Sequence, residues 1–195
     1  MPRLSAHHQI LIGFVLTMLM AVTRSHHVAS LDHMPDASWA VFFLAGVYLR
    51  SAFALPLFLA EAVLIDYLAI TFGGVSAFCI SPAYAALLPA YGALWLGGRW
   101  YAKRLDVRLD TLIPLSASLA VGGIVCELIS SGSFYFLSGR FTDPTLADFM
   151  PRVAEYLPTG LGSLALYVGL AAVTHVILTL AQRAPQARSQ AGESR

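Results

Sequence analysis

Charged side chains are scarce in this sequence. They make up 12% of its 195 residues, where an ordinary soluble domain has about 25%. Lys and Arg total 12 against 11 Asp and Glu, a formal net charge of +1. That balance leaves no electrostatic footprint for nucleic acid, and none is expected as a partner. Cysteine is nearly absent too. The two present, Cys79 and Cys126, are far apart and in no CxxC pattern, which excludes a disulfide framework. No GxxxxGK followed by Ser or Thr occurs, so ATP hydrolysis by a P-loop is excluded. Neither HExxH nor GxSxG stands in a usable context.

What fills the chain is apolar sequence, 57% of its residues. It is gathered into blocks of about 15–25 residues, the length a helix needs to cross ~30 Å of hydrocarbon. This predicts an all-α membrane protein with the lipid bilayer as its solvent. Six spans are expected, at about 8–22, 37–49, 52–72, 82–101, 111–136 and 158–182. The first has the length of a signal peptide, but Thr23-Arg24-Ser25-His26-His27 after it is a poor cleavage region. The second is short for a span and is expected to be buried by its neighbours. Residues 1–183 then form one transmembrane substrate-binding domain, and 184–195 a flexible cytoplasmic tail.

With the N-terminus inside, the inner side holds nine cations: Arg3, Arg50, Arg99, Lys103, Arg104, Arg108, Arg183, Arg188 and Arg195. The outer side holds three, Arg24, Arg140 and Arg152. The positive-inside rule then puts both termini in the cytoplasm. The inner connections are short, whereas the outer ones, 23–36, 73–81 and 137–157, are long. The elaborated face is the outer one, where function concentrates. Within the last outer loop, Leu146, Phe149, Val153 and Tyr156 recur at helical spacing after Pro144. They predict a short helix lying over the bundle mouth.

The residues suited to chemistry gather on that side. Cys79 lies in a break running Phe72-Gly73-Gly74-Val75-Ser76-Ala77-Phe78-Cys79-Ile80-Ser81-Pro82. Its thiol is a soft ligand, fit for a late transition metal or for redox chemistry, or else a small buried apolar residue. Asp66, near the outer end of the third span, and Tyr84, at the start of the fourth, share its depth. An intramembrane carboxylate is a functional-site candidate by default, and its partner would be the Tyr84 hydroxyl, a loop amide or the thiol. Glu61, Glu127 and His175 lie deeper, as a proton relay or a buried hydrogen-bonded cluster with Arg50 nearby. His26, His27, Asp32 and His33 in the first outer loop have metal-ligand types without helical spacing. Of these His27 is expected to face the mouth. Aromatics including Phe72, Phe78, Phe134, Tyr135, Phe136, Phe141, Phe149 and Tyr156 are numerous enough to line a large pocket for a bulky amphipathic ligand. Gly13, Thr17 and Ala21 form a small-residue stripe on the first span, for internal packing or for a partner helix.

Six spans with both termini inside and a cupped outer face resemble the substrate-binding S-components of energy-coupling-factor vitamin transporters. The loop around Cys79, with Gly73-Gly74 before it and Ser81-Pro82-Ala83-Tyr84 after it, looks like that of the BtuM-like, cobalamin-specific group. The resemblance implies vitamin B12 (cobalamin) uptake across the bacterial cytoplasmic (inner) membrane. It makes Cys79 the axial ligand to the corrin cobalt, with His27 near the opposite face and Asp66, Tyr84, Phe78, Phe136 and Phe141 around the ligand. Cys79-dependent removal of an upper cyanide is the one catalytic activity it implies. The first-span stripe Gly13-Thr17-Ala21 departs from the AxxxA by which such proteins dock a shared energising module, so action alone stands beside action with a module. Two other readings remain: an S-component-like transporter for another vitamin or a transition-metal ion, and a membrane thiol oxidoreductase using Cys79 and Cys126.

Overall fold

A computed structural model describes residues 5–24 and 34–193, with the side chains of Cys79 and of residues 182–193 outside that description. The described chain is all-helical. Its six α-helices are α1 (Ala6–Arg24), α2 (Ser38–Tyr48), α3 (Ala54–Phe72), α4 (Leu87–Ala102), α5 (Leu112–Leu137) and α6 (Leu146–Glu193). Single 3-10 turns stand at Ala77–Cys79, Pro82–Ala86 and Leu109–Thr111. Four segments, Ala6–Arg24, Ala54–Phe72, Leu109–Leu137 and Leu146–Ala181, are long and apolar enough to cross a membrane. They turn large apolar side chains outward, as hydrocarbon requires: Phe14, Leu57, Ile113, Leu170 and Ile177 are all exposed.

The short second helix is the centre of the bundle. Its 11 residues make a rod of about 16 Å, far less than the hydrocarbon thickness. Every residue from Ala40 to Val47 is buried, under α1, α3, α4 and α6. α4 crosses it backbone to backbone. A Cβ on Gly46 would fall onto the Trp95 carbonyl, and one on Gly98 onto the Phe43 carbonyl. Small residues permit that approach, which maximises van der Waals contact where lipid supplies no hydrophobic drive. Phe42, Phe43, Phe58 and Leu94 fill the space around the crossing.

Local chemistry sets the ends of these helices. Thr23 ties the end of α1 to the start of α2: its hydroxyl donates to the Leu19 carbonyl at 2.8 Å and accepts from the Ala37 amide at 3.1 Å. Asp36 turns the chain into α2 by accepting from the Ser38 amide at 2.8 Å, with Ala37 at the N-cap position. α3 ends where Gly74 turns to φ +68, and the Val75 amide reaches back to the Ala69 carbonyl at 3.2 Å. The fourth helix was expected to start at Pro82. Its first turn, Pro82–Ala86, is 3-10, and regular α-helix begins at Leu87.

A larger difference concerns the last outer loop. The helix expected at its end is not a separate lid. It is the first part of α6, which runs unbroken for 48 residues, about 72 Å. Thr145 starts it, accepting from the Asp148 amide at 3.2 Å and donating to the Asp148 carboxylate at 2.6 Å. Pro151 and Pro158 lie inside it. Their fixed φ suits a helix, each removes one i→i−4 hydrogen bond, and packing along its sides holds the helix continuous. Here the packing is aromatic: Tyr135 of α5 stacks on Phe149 of α6 at 5.5 Å, and Trp39 of α2 lies against Gly160.

Candidate functional site

One end of the bundle opens into a cavity of about 720 Å³. Its walls come from the end of α1, Asp36 just ahead of α2, the upper part of α3, the 73–86 connection, the start of α4, the end of α5 and the start of α6. The helices alternate in direction, so these parts lie at one level.

The floor is a polar network centred on Arg24. Its Nε donates to Asp66 Oδ1 and its Nη2 to Asp66 Oδ2, each at 2.7 Å. Its Nη1 donates to the Ser38 hydroxyl and to the Tyr91 hydroxyl, each at 2.9 Å. Ser38 in turn donates to Asp36 at 2.7 Å. Tyr84 donates to Asp66 Oδ2 at 2.6 Å. Asp66 therefore accepts from three donors on two other segments. One guanidinium joins α1, α2, α3 and α4 at the cavity floor, and its planar fork suits two-pronged carboxylate pairing. Because the Tyr84 proton goes to Asp66, the free lone pair of that hydroxyl is an acceptor for whatever enters. Tyr91 is held from behind by its stack on Phe42, 4.3 Å between centroids.

The upper walls are aromatic and cationic. Phe78 meets Phe134 edge to face at 5.7 Å, and Arg140 lies over the Phe78 ring at 5.1 Å. Arg152 lies over Phe141 at 4.7 Å and Tyr135 at 5.6 Å. Ser130 and Ser131 add hydroxyls to the lining. Mostly apolar walls with a few fixed polar groups are the usual make-up of a small-molecule site.

Of the residues singled out in the sequence, Asp66, Tyr84, Phe78, Phe134, Tyr135, Phe149 and Tyr156 line this one cavity. Phe136 and Phe141 stand one layer behind it, packed on Tyr135 and Phe149. The backbone of Cys79 closes the 3-10 turn that begins at Ala77, next to Phe78, and Ser76 caps that turn by accepting from the Phe78 amide at 3.2 Å. The Cys79 side chain lies outside the described residues, as do His26, His27, Asp32 and His33. Cys126 is wholly buried in α5. Among the described residues, no group of three or more His, Cys, Asp or Glu side chains is placed to hold a metal ion.

The deeper trio has its contacts in three places. Glu127 accepts from Ser131. Glu61 has the Thr17 hydroxyl of α1 beside it, which turns the middle of the small-residue stripe inward. His175 lies on the Tyr48 ring at 5.8 Å, toward the opposite end of the bundle.

Sequence reasoning missed Arg24, Ser38 and Tyr91. Charge counting treats Arg24 as a loop cation, although it is the last residue of α1. An intramembrane carboxylate at the same depth was the available signal. The chain matches no protein-family model and no curated protein.

Proposed function

We propose that this protein is a cobalamin-binding membrane transporter of the S-component type. In this reading six helical segments cross the bacterial inner membrane, both termini are cytoplasmic, and the cavity opens outward. Cobalamin enters it, and the Cys79 thiolate takes an axial position on cobalt. The observation that carries the reading is a convergence: Phe78, adjacent to Cys79, lines one open cavity with Asp66 and Tyr84. A soft thiolate suits cobalt, and coordination favours its deprotonated form. A cavity of about 720 Å³ lies within the range of small-molecule sites, and a corrinoid would fill it with part of its bulk left at the mouth. The amide groups around a corrin ring would find the Tyr84 acceptor and the hydroxyls of Ser130 and Ser131. Uptake proceeds with an energising module or without one.

The visible spectrum of cyanocobalamin mixed with purified protein tests this reading. A thiolate on Co(III) displaces the ligand's own benzimidazole and labilises the upper cyanide by simple ligand exchange, without change of oxidation state. The expected result is a spectral change with wild type and with Cys126→Ala, and none with Cys79→Ala. A wild-type change in Cys79→Ala, or no binding of cobalamin by folded wild type, overturns it.

A further inference from the structure

Glu61 belongs neither to the cavity nor to its ion pair. It is near the middle of α3, on the same helix face as Leu57, Leu64 and Leu68, which are 64%, 55% and 42% exposed. That face is the apolar stripe that α3 turns outward. The Glu61 carboxyl lies at the seam between this stripe and α1. Its Oε1 atom is buried with no hydrogen-bond partner, and the hydroxyl beside the carboxyl is that of Thr17 of α1.

Among the described residues, no charged group is paired with it. The helices packed on α3 are α1, α2 and α4, and their ionisable groups are engaged elsewhere. On α1, Arg24 holds Asp66, while His7 and His8 are on the exposed first turn. On α2, Tyr48 faces His175. On α4, Tyr91 is bonded to Arg24, Arg99 to the Arg50 carbonyl, and Tyr101 is buried beside Phe43. A carboxylate with an unpartnered buried oxygen and hydrocarbon beside it is strongly disfavoured, and such groups neutralise.

We propose that Glu61 is a proton-binding site: a carboxyl at the α1–α3 seam that is carried as the neutral acid and exchanges its proton there. α1 and α3 run in the same direction and share a second polar rung, the Arg24–Asp66 pair at the cavity floor. Any shift of α1 against α3 at the cavity therefore also moves Thr17 relative to Glu61.

The test is modification by dicyclohexylcarbodiimide, which reaches carboxylic acids from within the bilayer. The full chain is reconstituted in phospholipid nanodiscs. The acid proton passes to a carbodiimide nitrogen, the carboxyl oxygen adds to the central carbon, and the O-acylisourea rearranges to a stable N-acylurea, so nothing is lost or oxidised. Intact mass and peptide mapping are expected to give one adduct on Glu61. Its rate should fall about tenfold per pH unit once the acid ionises. Glu61→Gln should lose the adduct, whereas Glu127→Gln, whose native carboxyl is buried against Ser131, should keep it. A water-soluble carbodiimide should label poorly. An unlabelled wild type, an adduct persisting in Glu61→Gln, or a pH-independent rate overturns the proposal. Should Glu61→Gln not fold, infrared spectra of the Glu127→Gln protein decide. A carboxylic-acid C=O band that shifts in Thr17→Val supports the site, and absence of the band overturns it. Neither measurement depends on what occupies the cavity.

Discussion

Arg24, the last residue of α1, grips Asp66 of α3 with two hydrogen bonds of 2.7 Å. The two side chains are only 10% and 23% exposed. Removing one partner leaves the other charge uncompensated in a poorly solvated place, which costs about 3–5 kcal/mol. Arg24→Ala and Asp66→Ala are each expected to lower the thermal unfolding temperature strongly. The double variant Arg24→Met/Asp66→Leu should recover part of the loss: it removes the uncompensated charge, but Ser38, Tyr91 and Tyr84 still lose their partners. Thermal denaturation in detergent measures all three. A single variant as stable as wild type would contradict this account.

The α2–α4 crossing depends on two missing side chains. Gly98→Ala places a Cβ on the Phe43 carbonyl, and Gly46→Ala places one on the Trp95 carbonyl. Both obstacles are backbone and cannot rotate away. Overpacking of this kind costs about 1–3 kcal/mol or more. Gly92→Ala, with nothing within 4 Å of its added carbon, serves as the control. The prediction fails if Gly98→Ala unfolds at the same temperature as Gly92→Ala.

The proposed orientation and the two thiols are tested together in whole cells. A membrane-impermeant maleimide added from outside should label wild type and Cys126→Ala, and should not label Cys79→Ala. Cys126 is 0% exposed, so it reacts only after denaturation. A reporter active only outside the cytoplasmic membrane should be silent when fused to the C-terminus. An active fusion would reverse the assignment drawn from nine inner cations against three outer ones.

Much of this architecture was legible in the amino-acid order. Blocks of apolar residues and scarce charge gave an all-helical chain, because in hydrocarbon every backbone group must be bonded within its own segment. Asp66 and Tyr84 could be matched by depth, since a helix rises a fixed distance per residue. The Tyr84–Asp66 hydrogen bond was one of the pairings that depth allowed. Phe78 could be placed beside them by its position in the Gly-rich break.

Rotation and partner choice were not legible, because they depend on how each helix turns about its axis. Phe136 and Phe78 are equally aromatic, yet one packs behind the wall and the other lines it. The outer-loop helix and the last span became one α6 because aromatic packing on α5 and Trp39 tolerates two prolines that sequence rules read as breaks. Arg24 is the clearest case. The sequence alone determined that an arginine follows the first apolar run. Only the tertiary structure decided that it turns inward, where four helix ends meet, because there its donors find Asp66, Ser38 and Tyr91 already fixed by the packing of three other helices.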